Sequence, residues 1–309
     1  MSTPRSRSLI DVLEKDYVPV RGIVAGTENR YRHTLEVCAR MLGRKRIGVK
    51  HLNAKVCGTI LRRMEAKGYA PATVYLAAST LLSLAKFLHD EGQIEKVPHF
   101  RLPVVPEQSP VAWSYEELAR LNRACSQARH YIGRVRSNVF WSALHQVAFE
   151  TACRINELMQ LEWTDIDFQT RIVIFRAETR KGQRAPHPEK LSPETIETLL
   201  KMKKHATHNV VFWIPFTFRT LQKRYVRLLK MAKLPADRDH GFHCLRRTGV
   251  TWFSHFGGMA QDMLGHADPK TAKRYLDPRF AFVNPDRPCD IVPKPGMAQE
   301  PLRVGAGSG

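Results

Sequence analysis

Residues 93–113, QIEKVPHFRLPVVPEQSPVAW, hold four prolines and show neither a helical nor an alternating period. Proline fixes φ and removes a backbone donor, so a stretch broken this often cannot run through a helix interior or a central strand. The chain therefore divides here, and its two sides read differently. Before the break, apolar residues recur at helical spacing: Tyr31, Leu35, Cys38 and Leu42, then Val56, Ile60 and Met64. The run ATVYLAASTLLSLAKFLHDEG covers more than one narrow stripe, as the central helix of a small bundle does. Helices are expected from Thr27, as a cap, to about Gly43, from about His51 to Lys67, and over this third run to Gly92.

After the break the pattern is mixed. Ser114 and Glu117 make a capping box, so the second half opens with a helix. A long helix is expected from about Arg134 to Gln160, with Phe140, Leu144, Val147, Ala148 and Ala152 facing a core. RIVIFRAETRKGQRAPHP reads as a strand, a Lys-Gly turn and a shorter return strand. Ser192-Pro193-Glu194 starts another helix by cap, first-position proline and first-turn acid. A basic helix follows from 217 to about 233, with Arg219, Lys223, Arg224, Arg227 and Lys230. The expected architecture is mostly α with a small β-hairpin or sheet, in two domains, a helical one and a mixed α+β one. Its expected limits are an arm over 1–26, a helical domain over 27–96, a linker over 97–113, a second domain over 114–283 and a proline- and glycine-rich tail over 284–309.

Charge narrows the partners. Lys and Arg number 49 against 29 Asp and Glu, a formal charge of +20, which attracts nucleic acid first and an acidic membrane surface second. In the helical domain Arg44, Lys45, Arg46, Arg62 and Arg63 are candidate phosphate contacts, although any one of them reads as readily as part of a solvated face. The six cysteines are scattered without a C-x-x-C pair, so no zinc site and no metal are expected, and a reducing compartment is the default. The start, MSTPRSRSLIDVLEKD, lacks a signal-peptide apolar core, and no run reads as a membrane span. A cytoplasmic, nucleoid-associated protein is expected.

The most informative stretch is HCLRRTGVTWFSHFGGMAQDMLGHADPKTAKRY, His243 to Tyr275. It reads as helix, turn, helix, then a second turn and a short helix carrying the tyrosine. His243 and Arg246 are three apart and share a helix face, as do Arg154 and Glu157 upstream. Lys181 sits in the turn between the two strands. Two arginines, two histidines, a lysine and a tyrosine suit attack on a phosphodiester without a metal. Arg154 and Arg246 are the forked donors for nonbridging oxygens. A phenol titrates near 10, so ionising Tyr275 at pH 7 costs about 4 kcal/mol, which nearby arginines and a base offset. His243 is a candidate base, His266 a hydrogen-bond partner for a phosphate oxygen, and Lys181 an acid for the leaving alkoxide. Glu157 is expected to orient a basic neighbour.

In this arrangement the sequence resembles the tyrosine recombinases, the phage-integrase-like site-specific recombinases. TACRINELMQLEWTDID is similar to the family's first arginine box, with Arg154 and Glu157 in place. RKGQR supplies the hairpin Lys181, HCLR the second box with His243 and Arg246, LGH the third with His266, and Tyr275 follows at the interval of the family nucleophile. The resemblance implies a catalytic domain over 114–283 and a core-binding domain before it, which together clamp duplex DNA. It implies cleavage through a 3′-phosphotyrosyl link with release of a 5′-hydroxyl, no cofactor, and strand exchange at a specific recombination site in a homotetramer, with accessory DNA-bending proteins as further partners. Arg224 and Arg247 join the candidate DNA contacts. This sequence departs from the family in Ala152, where a glycine is common, and in Arg247, where a histidine is frequent. Two further readings remain open: DNA relaxation in the manner of a type IB topoisomerase, and a DNA-binding accessory protein that does not cleave.

Overall fold

Side-chain caps set five of the helix starts. Ser8, Asn53, Ser114, Ser192 and Thr217 each accept a hydrogen bond from a backbone N–H in the first turn that follows, satisfying donors that the helix itself leaves open. The computed structural model describes residues 7–180, 185–265 and 269–281, and the chain divides into two units, Met1–Gln108 and Ser109–Gly309.

The described part of the first unit is helical. Helix α1 (Leu9–Val12) continues through a π-helical turn (Leu13–Tyr17) into α2 (Val18–Arg21). Then come α3 (Ala25–Met41), α4 (Ala54–Ala66) and α5 (Pro71–Asp90). The expected arm is corrected here. Leu9, Val12 and Leu13 are fully buried and Tyr17 nearly so, packed in one core with Leu35, Ile60 and Leu84. Their spacing is itself a helical stripe, and burying each such side chain contributes about 1.5–3 kcal/mol that a free arm would forgo. Helix α3 begins two residues before Thr27, and α4 begins at Ala54 rather than His51. Helix α5 also corrects the expectation that no run reads as a membrane span, since its length and mean hydropathy of 1.3 reach that of one. Half of that apolar window is buried inside the unit, so its hydrophobicity serves the core.

The second unit opens with α6 (Tyr115–Ser126), closed at its start by the Ser114–Glu117 box. A two-stranded hairpin, β1 (Tyr131–Ile132) and β2 (Val135–Arg136), leads into α7 (Ser137–Thr151). Phe140, Trp141, Leu144, Val147 and Ala148 make α7 the centre of the larger core, against α6 and two later helices, α9 (Pro193–Lys203) and α11 (Phe242–His255). The expected long helix ends early. Ala152 takes a left-handed conformation (φ 43°), and the short α8 (Ile155–Leu158) starts afresh beyond it. A three-stranded antiparallel sheet follows, ordered β3 (Ile166–Asp167), β4 (Ile172–Phe175), β5 (His187–Lys190), with Val173 opposite Glu189. Val173 and Phe175 alternate inward on β4, and the expected hairpin is its last two strands. Helix α10 (Phe218–Met231) turns Leu221, Tyr225 and Leu228 to the core and Arg219, Lys223, Arg227 and Lys230 to solvent. Beyond α11 come α12 (Ala260–Leu264), α13 (Pro269–Lys273) and α14 (Pro278–Ala281), so Tyr275 lies just past a helix rather than on one.

Candidate active site

The break at Ala152 places the first arginine. Because α8 starts anew, Arg154 is its N-cap and Glu157 its third residue. Glu157 is 3% exposed and binds Arg154 twice, accepting from its backbone N–H at 2.8 Å and from its Nη1 at 2.7 Å. One carboxylate thereby fixes both the turn and the guanidinium direction. The expected pairing forms, through a capping box rather than along a continuous helix face.

Helix α11 supplies the second arginine. Its N-terminal turn carries His243 and Arg246 on one face, and Gly249 lets the helix approach α7 closely. A Cβ at 249 would sit 2.3 Å from the carbonyl oxygen of Phe149. Arg246, 3% exposed, donates its Nη1 to the carbonyl oxygen of Ala152, while its Nε and Nη2 have no hydrogen-bond partner among the described residues. Two buried guanidinium donors without acceptors are costly unless something anionic completes them.

Tyr275 meets these groups. Its ring lies 5.0 Å from the Arg246 guanidinium carbon and 5.5 Å from the His243 ring centre, and its phenol, after Glu157, adds to what keeps the Arg154 guanidinium charged. It packs with Leu276 against a small cluster of Ala152, Val250, Met263, Leu264 and Ala272. Desolvation among its neighbours, then the guanidiniums of Arg247, Arg246 and Arg154, push the His243 imidazole down to about 4, although by surface area the residue is exposed. His243 is therefore neutral at pH 7 and has a lone pair to accept a proton. Burial and then Arg154 press Arg246 below the ordinary arginine value, which leaves it charged at neutral pH.

The structure brings Arg154, Glu157, His243, Arg246 and Tyr275 together, and Lys181 and His266 lie outside the described residues. Arg180, not anticipated, is adjacent to the former in sequence and is only 7% exposed. Its Nη2 donates to the carbonyl oxygen of Leu264 at 3.4 Å and would lie 2.5 Å from any Cβ at Gly265, whose φ is +61°. A glycine is thus needed at that turn twice over, for φ and for space. Nothing local in RKGQR signals a buried arginine, because the contact spans 84 residues.

The expected phosphate contacts divide. Arg44, Lys45 and Arg46 are exposed in the turn after α3, and Arg62 is exposed on α4. Arg63, also exposed, donates one guanidinium N–H to the carbonyl oxygen of Met41 at 2.6 Å. Arg224 is half-buried over the Phe216 ring at 4.1 Å, and Arg247 donates to the carbonyl oxygen of Asp239. Among the described residues no group of three metal-ligating side chains occurs.

The sequence model of the Phage integrase family matches residues 114–281. The integrase/recombinase y4eF of Sinorhizobium fredii is 25% identical over 253 residues, 77% of this chain and 92% of that protein. The tyrosine recombinase XerC of Lacticaseibacillus casei is 26% identical over 155 residues, 46% of this chain and 51% of that protein, so the match spans about half of its length. Among solved structures, a lambda integrase tetramer bound to a Holliday junction superposes with a TM-score of 0.70 at 21% identity, covering 90% of this chain and 79% of that one. That likeness is one of fold.

Proposed function

Because the chain belongs to the phage integrase family, we propose that it recombines duplex DNA at a specific site, with Tyr275 as the nucleophile. The observation that carries this reading is the convergence of Arg154, Arg246 and neutral His243 on one tyrosine. The Tyr275 oxygen attacks the scissile phosphorus, His243 takes the phenol proton, and the bond from phosphorus to the 5′ oxygen breaks. A 3′-phosphotyrosine and a 5′-hydroxyl result. Bond number is unchanged, so a 5′-hydroxyl from a second duplex reverses the step onto a new partner without an external energy source.

Charge building on the nonbridging oxygens meets the two arginines, and Arg246 Nε and Nη2 are the donors still open to it. Lys181 is assigned the proton for the leaving 5′ oxygen and His266 a hydrogen bond to a nonbridging oxygen, both on sequence order. The exposed Arg44, Lys45, Arg46 and Arg62 are assigned to phosphates of the same duplex, making the first unit a DNA-binding domain and 114–281 the catalytic one. A tetramer around a four-way junction is the proposed assembly, in keeping with the lambda integrase structure of like fold. As a protein that acts on DNA, the chain is assigned to the nucleoid.

The test is to capture SDS-resistant protein–DNA adducts from cells expressing the chain and to sequence the attached DNA, beside Tyr275→Phe. Adducts at one recurrent sequence that vanish in the variant are the expected result. Adducts that persist without the phenol overturn the assignment of the nucleophile, and adducts scattered over all sequences favour relaxation over recombination.

A further inference from the structure

Asp277, two residues beyond the tyrosine, is 1% exposed, and such a carboxylate needs a reason to be buried. It accepts from the backbone N–H of Ala112 at 2.7 Å, from the Arg279 backbone N–H at 3.0 Å, and from the Arg279 guanidinium at 2.7 Å. Arg279 closes the ring by donating to the carbonyl oxygen of Ala112 at 3.0 Å. Thr251 of α11 completes the fastening. Its hydroxyl accepts from the Asp277 N–H at 3.0 Å and donates to the carbonyl oxygen of Tyr275 at 3.3 Å.

These contacts lie along one edge of α11. Thr248 accepts from the N–H of Trp113, Trp252 Nε1 donates to the carbonyl oxygen of Trp113, and His255 meets the carbonyl oxygen of Phe280 at 2.7 Å. Residues 248, 251, 252 and 255 form a helical stripe. The same helix carries His243 and Arg246 in its first turn. It therefore holds both the groups that would grip a phosphate and the backbone of the residue that would attack it. Burial alone would raise the Asp277 carboxyl, yet the Arg279 and Ala112 hydrogen bonds outweigh it and hold the group below the usual carboxylate range.

We infer that Asp277, with Thr251 and Arg279, is a positioning residue: it locks the segment C-terminal to Tyr275 onto Ala112 and α11, so that the phenol is held against Arg154 and Arg246 of its own chain. The inference rests on the nucleophile assigned above. A clasp of this kind acts on rate, since it orders the attacking atom, and leaves the charged DNA-binding surface untouched.

The variants are Asp277→Asn, Thr251→Val, which keeps the side-chain shape but loses both hydroxyl bonds, and Thr251→Ser, which restores them. The substrate is a duplex of the sequence recovered from adducts, nicked beside the cleavage point so that the short 5′-hydroxyl strand diffuses away. Single-turnover adduct formation and the DNA Kd are measured together, with thermal melts as a check on folding. The expected result is a fall in rate of about tenfold to a hundredfold for Asp277→Asn and Thr251→Val. Kd should hold within about twofold, because no phosphate contact is removed, and Thr251→Ser should recover most of the rate.

Trypsin gives a readout independent of activity, with faster cleavage after Arg274 and Arg279 expected in the two defective variants. Wild-type rates in both overturn the clasp, as does a parallel loss of rate, affinity and melting temperature, or a serine variant as slow as the valine one. If the wild-type chain itself forms no adduct, the proposed nucleophile fails and the clasp with it. A wild-type adduct beside unchanged variants sinks the clasp alone.

Discussion

Glu157 commits both carboxylate oxygens to Arg154, one to the backbone and one to the guanidinium, in a setting almost closed to water. Glu157→Gln keeps an acceptor for the cap but removes the charge that matches the guanidinium. It should cost about 1–3 kcal/mol in urea unfolding and slow adduct formation at least about tenfold, with the DNA Kd retained. Equal adduct rates for variant and wild type would show that Arg154 needs no such partner. At this scale the sequence was informative wherever chemistry and local spacing coincide. Arg154 with Glu157, and His243 with Arg246, are each three residues apart, and a three-residue interval brings side chains together both on a helix and in a capping box. Asp277, Thr251 and Arg180 are not legible, because the contacts that fasten them to Ala112, Asp277 and Leu264 span 165, 26 and 84 residues and no local period marks them.

Helix α7 shows why element ends are less legible in a sequence than element cores. Its apolar period runs past Ala152 without a proline or glycine to stop it, and the early end shows only in three dimensions, where the Ala152 carbonyl turns to meet Arg246. The arm failed in the opposite sense: its stripe is short, with Pro19 and Gly22 nearby, and only the core of the first unit reveals what it packs on. Helix α7 also carries a testable liability. His145 is 2% exposed, its Nδ1 is 3.5 Å from Cys125 Sγ, and burial pushes its imidazole down to about 3. In the unfolded chain it titrates near 6.5, so below that pH the unfolded state takes up a proton that the native state refuses. Stability is full above about 6.5 and falls as pH drops toward the native value, by about 2 kcal/mol at pH 5 from this residue alone. His243, also depressed, acts in the same direction. Urea unfolding at pH 7 and pH 5 should show wild type losing about 2 kcal/mol more than His145→Leu, and equal losses would mean that water or a proton reaches the site without unfolding.

For the whole molecule the governing quantity is the +20 charge, and the exposed cations differ in whether a hydrogen bond to their own unit already holds them. All four are exposed, but Arg63 is bound to Met41, whereas Arg44, Lys45 and Arg46 stand in a turn whose backbone does not depend on their side chains. Each phosphate neutralised by such a cation releases counterions, so log Kd varies with log salt by about 0.9 per contact. Replacing all three by glutamine should therefore lower the magnitude of that slope by about 2 to 3 and leave urea stability within about 0.5 kcal/mol. Arg63→Gln should do the reverse, changing the slope little while costing about 1 kcal/mol of stability through the lost bond to Met41. Fluorescence anisotropy between about 50 and 200 mM salt, the range over which phosphate contacts weaken most visibly, separates the two. A triple variant with an unchanged slope would remove the turn after α3 from the DNA surface. The charge would then have to act from α10 and the rest of the second unit, where Arg219, Lys223, Arg227 and Lys230 are the exposed set to replace next.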